Sequence, residues 1–491
     1  MQAKPDPSFL ANALKLITAT SFAQIVGIII MPLLTRIYTP EMFGLLQIYL
    51  SIVFIIVPLS TFNYEVAILI PENEDDAQSV LWGSLLITGI VTLLCYPIIY
   101  SFNKPIIRLF NADKLGVFIY LVPISVFCMG TFSALSFWLI RKNRFGLIAT
   151  CNSWQAIVNQ GTKLLLGYAT AGAFWGLLSG NIISDFIVLV IIIIRCSRNA
   201  LSSFWKALSL SRIKHNLLEF YRFPFYSLPS KFVYEGSAEL PVFMLAYYFS
   251  PAILGYYALG RRLMWMPLNI VSNAISRVLL QQVSSKQKDL HALMHSTKRV
   301  LERLALISVY SLTLLGVTGP DIFSIIFGRN WHQAGIFTSL LCIWGIANFI
   351  FTPFFELTSI LQKQHVYLFY NIISFVTKFV MLVLGGYFAN PLLAIGILSL
   401  SNAILTMCFG IVVLKYFNLH YATIMHILLK NIKSTLISIM PVLLVKIAGL
   451  PQIALYLSIV ASLLIYVIII KKTEQALYME FRQYVFSRLL S

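Results

Sequence analysis

Long unbroken apolar runs dominate the chain. Stretches of about 18–25 apolar residues recur from end to end with short polar gaps, the length a helix needs to cross a hydrocarbon core of about 30 Å. They predict about fourteen transmembrane helices, near 12–34, 43–66, 77–101, 116–140, 146–168, 172–194, 222–248, 252–282, 300–317, 334–360, 367–388, 392–414, 432–449 and 453–470. The first run is too long for a signal-peptide core and is followed by Thr35-Arg36-Ile37-Tyr38 rather than a small-residue cleavage site, so it is expected to stay as a helix. The expected fold is an all-α polytopic membrane protein with no sizeable soluble domain.

Within these runs the polar positions are not scattered. On helix eight, Arg262, Asn269, Asn273, Ser276 and Arg277 share a stripe about 100° wide that rises about 22 Å. Arg261 falls about 100° to the side, so Arg262 is the favoured inward member of the pair. Helix five repeats the pattern with Asn152, Gln155, Asn159 and Lys163; helix ten carries Asn348, Thr352 and Glu356, and helix eleven Asn371, Ser374 and Lys378. Ionised groups are expensive in lipid and face protein or a wet cavity. Stripes in both halves therefore imply a polar lumen, although any single Asn or Ser is better explained by hydrogen bonding between packed helices. The arginines suit a phosphate because the planar guanidinium donates two parallel hydrogen bonds.

Five acids also lie in or near helices: Glu65, Asp185, Glu235, Glu239 and Glu356. Each is a candidate for binding H⁺ or Na⁺ as a coupling ion. Lys231, Glu235 and Glu239 stand at i, i+4 and i+8, where the plain expectation is an ion pair between Lys231 and Glu235. Gly172, Gly176 and Gly180 form a doubled GxxxG, read as a packing face.

Composition agrees with a lipid-facing surface: 59% of the 491 residues are hydrophobic and 11% charged, against about 25% charged in a soluble domain. The net charge of +18 would suit nucleic acid, but its placement excludes that reading. With the amino terminus inside, about 24 of the 36 lysines and arginines fall in cytoplasmic segments, about 6 in external loops and about 6 within helices. Both termini are thus expected in the cytoplasm. The basic runs at 141–144, 195–222 and 286–303 set topology first and meet anionic membrane lipids second. The six cysteines form no CxxC pair and read as small core residues.

The longest cytoplasmic connection divides the chain. The expected organisation is an amino-terminal lobe at 1–194, a linker at 195–221, a carboxy-terminal lobe at 222–416, two further helices at 417–470 and a cytoplasmic tail at 471–491. An internal match supports the division, since Thr39-Pro40-Glu41-Met42-Phe43-Gly44 and Ser250-Pro251-Ala252-Ile253-Leu254-Gly255 share the form [ST]-P-x-x-x-G at an offset of six helices. An even offset makes the halves parallel repeats. The tail spaces Leu477, Phe481, Tyr484, Val485 and Arg488 as an interfacial helix or a solvated end would.

No HExxH, GxSxG or GxxxxGK[ST] occurs, so zinc, serine and nucleotide chemistry find no support and neither metal, cofactor nor enzymatic activity is expected. Two runs carry a resemblance instead. Pro32-Leu33-Leu34-Thr35-Arg36-Ile37-Tyr38-Thr39-Pro40-Glu41-Met42-Phe43-Gly44, followed by Tyr64-Glu65-Val66-Ala67-Ile68-Leu69-Ile70-Pro71, resembles the start of Wzx-type polysaccharide flippases of the multidrug/oligosaccharidyl-lipid/polysaccharide exporter superfamily. The run from Gly255 through Arg261-Arg262-Leu263-Met264-Trp265-Met266-Pro267-Leu268 is similar to that family's eighth helix, with Arg262 five residues before the proline. The doubled arginine and Arg277 depart from its pattern.

The resemblance implies two six-helix lobes around a central cavity plus two extra helices, alternating access, and a bacterial inner-membrane location. Its implied substrate is an undecaprenyl-diphosphate-linked oligosaccharide repeat unit, with polysaccharide polymerase and chain-length proteins as partners and H⁺ or Na⁺ as coupling ion. The candidate cavity residues are Arg262, Arg277, Arg261, Asn269, Asn273, Lys163, Asn159, Arg36 and Lys378. The alternatives are a cation-coupled drug or metabolite exporter of the same superfamily and a non-transporting scaffold of a synthase complex.

Overall fold

The computed structural model describes residues 7–197, 209–266, 268, 290–355, 357–360 and 363–473. Among the described residues every regular element is helical. Asn269, Asn273, Ser276, Arg277, Glu356 and the tail from 474 on lie outside them.

Among the described residues ten helices are long and apolar enough to cross a membrane. The four remaining expected spans are α1 (Pro7–Ile37), α6 (Phe145–Ala169), α9 (Leu228–Tyr248) and α10 (251–266). Two of these, α6 and α9, are 25 and 21 residues long, and α9 carries three charged side chains, Lys231, Glu235 and Glu239. Buried Lys163 and Glu239 thus sit on helices that hydropathy singles out least.

Several boundaries move from their expected places. The predicted helix 43–66 is broken: α2 (Pro40–Thr61) starts on a proline at its first position and stops where Phe62 and Asn63 turn left-handed, and α3 (Tyr64–Ala67) follows. Asn tolerates that backbone better than most residues. The break turns Glu65 into the protein, where it is 1% exposed.

Beyond α4 (Glu74–Leu109), α5 (Val122–Arg141) and α7 (Phe174–Ser197), the expected linker contains a helix, α8 (Leu210–Glu219). Ser209 caps it by accepting from the Arg212 amide. Arg212 pairs with Asp75 at 3.1 Å and Asp76 at 2.9 Å, Asn216 donates to Asp76, and the Tyr64 hydroxyl donates to the Leu217 carbonyl at 2.8 Å. The acidic first turn of α4 therefore serves both its own helix dipole and the docking of α8.

The chain divides into two compact units. The first comprises Met1–Met266, Phe323–Phe337 and Asn371–Leu398, and the second Pro267–Ile322, Thr338–Tyr370 and Ser399–Ser491. Within the first unit the two [ST]-P-x-x-x-G motifs meet. A Cβ on Gly44 would lie 1.8 Å from the Pro251 carbonyl oxygen, and one on Gly255 would lie 1.8 Å from that of Pro40. The contact is reciprocal, so only glycine fits at either position. It brings the start of α2 onto the start of α10.

The second unit is built on α11 (Leu290–Phe327), α12 (His332–Phe355), the short α13 (Leu357–Ile360), α14 (Gln364–Tyr387), α15 (Pro391–Lys415), α16 (Tyr421–Ile447) and α17 (Gln452–Thr473), of which α11, α12, α14 and α15 also lend segments to the first. Tyr310 and Tyr466 stack at 3.8 Å, the Tyr310 hydroxyl lies 3.1 Å from Ser462 Oγ, and Lys446 pairs with Asp321 at 2.7 Å. Helices α11 and α16 begin about ten residues before their expected starts, because Lys, Arg and Glu end a hydrophobic run without ending a helix.

Replacing Gly44 or Gly255 by Ala is expected to cost about 1–3 kcal/mol, the usual penalty of overpacking, and to lower the thermal midpoint of the purified protein. Unchanged melting of both variants would rule out the contact.

Candidate functional site

Helices α2 and α9 pack along each other, and their seam carries two polar layers. In the first layer Lys231 Nζ lies 3.1 Å from Glu65 Oε1 and 3.3 Å from Asn63 Oδ1, while Asn63 Nδ2 donates to Ser227 Oγ at 2.6 Å. Lys231 therefore pairs with Glu65, not with Glu235 as helical spacing suggested. The reason is the break at Phe62–Asn63, which no spacing rule on α9 alone can register. Glu235 stays half-buried between Lys231 and Glu239, which act on it electrostatically.

In the second layer Glu239, 4% exposed, gathers donors from two elements. From α2 come Ser51 Oγ and, at 3.4 Å, Gln47 Nε2; from α10 comes Arg261 Nη2 at 2.9 Å. Arg261 also donates to the Ala238 carbonyl, and the Tyr257 phenol sits against its guanidinium. Lys378, 9% exposed, donates to Ser237 Oγ at 3.2 Å, two residues before Glu239, and lies within electrostatic reach of Arg261.

Arg262 turns about 100° from Arg261 around α10, toward α1 and α6. A Cβ on Gly27 would lie 3.6 Å from both Arg262 Nη2 and Gln160 Nε2, so guanidinium and amide converge over that glycine. Gln160 is 4% exposed and its Oε1 has no hydrogen-bond partner. Lys163, 3% exposed, is within electrostatic reach of Arg262 and Asp185. Among the described residues no carboxylate forms an ion pair with Arg262. The two arginines thus serve two neighbourhoods, one carrying an acid and one rich in donors.

The stripe on α6 is satisfied mostly by α7. Gln155 donates to Asp185 at 2.7 Å, Asn159 donates to Asn181 at 3.0 Å and to Ser184 at 3.1 Å, and Lys163 donates to Asn181 at 3.2 Å. Packing makes this possible, because a Cβ on Gly180 would lie 2.5 Å from Lys163 Cγ. The Tyr38 hydroxyl, pressed against Gly176, donates to the Lys163 carbonyl at 2.8 Å. The glycine row is the packing face the sequence suggested.

The structure thus gathers Arg261, Arg262, Lys163, Asn159, Lys378, Glu65, Asp185, Glu235 and Glu239 into the first unit. Arg36 is exposed in the last turn of α1 and takes no part in these hydrogen bonds. Ser51, Gln47 and Asn63 were missed, since neutral residues in apolar runs carry no signal until their partner is known. Among the described residues no group of three or more His, Cys, Asp or Glu is placed to hold a metal ion.

Residues 33–335 match the family described as polysaccharide biosynthesis protein. A membrane protein from the cps region of Klebsiella pneumoniae is 22% identical over 355 residues, 72% of this chain and 71% of its own length. The succinoglycan biosynthesis transport protein ExoT of Rhizobium meliloti is 23% identical over 324 residues, 64% of this chain and 61% of its own length. Among solved structures, the lipid II flippase MurJ in an inward closed conformation matches 94% of this chain and 99% of its own, with a TM-score of 0.72 at 15% identity. A point mutant of the Vibrio cholerae MATE transporter VcmN matches 84% and 98% with a TM-score of 0.51 at 13% identity.

Removing Lys231 alone is expected to strand Glu65 in the protein interior. Lys231→Ala should destabilise by about 1–3 kcal/mol, and adding Glu65→Gln should restore most of the loss in a thermal-melting cycle. Equal melting of Lys231→Ala and wild type would refute the pairing.

The matched span covers more than half of the chain and takes in all but Pro32 of the runs that carried the resemblance, and the helical fold is that of MurJ and VcmN: the chain is a multi-pass membrane protein belonging to the polysaccharide biosynthesis protein family.

Proposed function

We propose that the protein flips an undecaprenyl-diphosphate-linked oligosaccharide from the cytoplasmic to the external leaflet of a bacterial inner membrane by alternating access. The observation that carries this reading is the neighbourhood of Arg262, where a half-buried guanidinium and the Gln160 amide converge over Gly27 with Lys163 in electrostatic reach, and where, among the described residues, no carboxylate pairs with the arginine. A diphosphate supplies the missing negative charge and accepts the guanidinium bidentately. The oligosaccharide cannot cross hydrocarbon unaided, while its polyprenyl tail can stay in lipid. Likeness to a polysaccharide transport protein supports the substrate class.

Arg262 and Lys163 bind the diphosphate, with Arg277, Asn269 and Asn273 further along the same stripe. Glu239 is the favoured coupling acid because α2 and α10 both donate to it, so protonation or Na⁺ binding there loosens both at once. Glu65, Asp185, Glu235 and Glu356 remain further coupling candidates. Both termini lie in the cytoplasm, and polymerase and chain-length proteins act on the delivered product.

Arg262→Ala is expected to cut surface polysaccharide at least about tenfold and to make the lipid-linked intermediate accumulate, at an unchanged level of membrane-inserted protein. Arg262→Lys should keep part of the activity. Unchanged polysaccharide in a deletion strain would overturn the reading. Drug resistance without a polysaccharide phenotype would instead point to a cation-coupled exporter, and full function after Arg262→Ala with Arg277→Ala to a scaffold.

A further inference from the structure

Far along the chain from the arginines, the second unit holds a cavity of about 140 Å³ between the early turns of α11 and α16. It exists because both helices begin before their hydrophobic runs, so that polar turns face each other at the membrane edge. On α11, Lys298, Glu302 and Leu306 stand at i, i+4 and i+8; on α16, Thr423, His426 and Lys430 share a face with Ile427 and Asn431. Two ammonium groups and an imidazole thus stand against one carboxylate. Glu302 lies 3.9 Å from Lys298, too loose to cancel that lysine's charge, and both side chains keep 30% exposure or more.

Size and surroundings narrow the ligand. The volume is far below the roughly 300–1,000 Å³ that encloses a drug-sized molecule, so the cavity takes a headgroup and not a whole amphiphile. Asn431 is buried with its amide on the Ile427 carbonyl, and Thr435, continuing the same row, has a buried hydroxyl without a partner. From Lys430 the same face of α16 rises through Ile437 and Leu444, spaced seven apart and 50% and 61% exposed. A basic cavity that opens onto an apolar helix face matches a molecule with a phosphate at one end and acyl chains at the other. The basic segments 286–303 and 415–433 lie at the helix ends that the positive-inside rule assigns to the cytoplasm.

We propose that this cavity binds the phosphate of an anionic phospholipid of the cytoplasmic leaflet, with Lys298 and Lys430 as its cations, His426 as a further donor and the acyl chains laid along Ile437 and Leu444. Glu302 limits the affinity. The site is separate from the Arg262 neighbourhood and does not depend on the transported substrate.

The test titrates the full-length protein with phosphatidylglycerol and with phosphatidylcholine of the same chains, read by native mass spectrometry and by the thermal midpoint. Wild type should bind phosphatidylglycerol about tenfold tighter. Lys298→Gln with Lys430→Gln should lose that preference, while the paired Arg substitutions keep it. Glu302→Gln should raise phosphatidylglycerol affinity severalfold, a gain that misfolding cannot mimic. Equal binding of the two lipids by wild type, or an undiminished preference in the double Gln variant, would overturn the proposal. Stabilisation by inorganic phosphate as large as that by phosphatidylglycerol, and lost in the double Gln variant, would overturn the lipid assignment in favour of a soluble phosphate ester.

Discussion

An ionised carboxylate inside a membrane has to find its donors within the protein, and Glu239 finds them on two helices at once. Ser51 and Gln47 reach it from α2, and Arg261 from α10. Remove that acceptor, and α2, α9 and α10 lose the polar contact that fixes their relative rotation. With rotation fixed, Arg262 is aimed the other way, at Gly27 and Gln160. The doubled arginine therefore divides its contacts: one guanidinium holds the helices, while its neighbour, among the described residues, has no carboxylate paired with it.

Close approach of backbones is the second requirement, and small residues meet it. Without water between helices there is little hydrophobic force to drive them together, so packing and hydrogen bonds must do so. The reciprocal contact of Gly44 with Pro251 and of Gly255 with Pro40 is one case. Gly180 is another, because its missing side chain is the space that the stem of Lys163 occupies. Buried polar groups and glycines come in pairs for the same reason: a buried lysine needs both a partner such as Asn181 and room to reach it.

The polar residues divide by what surrounds them. The α6 stripe hydrogen-bonds α7, so Asn159, Gln155 and Asp185 hold two helices together, whereas Gln160 keeps a buried carbonyl oxygen without a hydrogen-bond partner. A stripe on a helical wheel looks the same in both cases. The charged side chains of α6 and α9 lie outside the ten strongly apolar spans.

Hydrophobic run length alone determined the all-helical, membrane-spanning class, because the bilayer imposes one length on every span and lysine and arginine mark its edges. The [ST]-P-x-x-x-G pair was also readable, since proline starts a helix and glycine admits a close neighbour wherever they occur. Partner choice was not. Lys231 pairs with Glu65 instead of Glu235 because Phe62 and Asn63 break a run that reads as one continuous span, and α8 forms in what read as a linker because the acids at the start of α4 hold it. Helix wheels report the direction of a side chain around its own axis. Only the packing of one helix on another decides what it meets there.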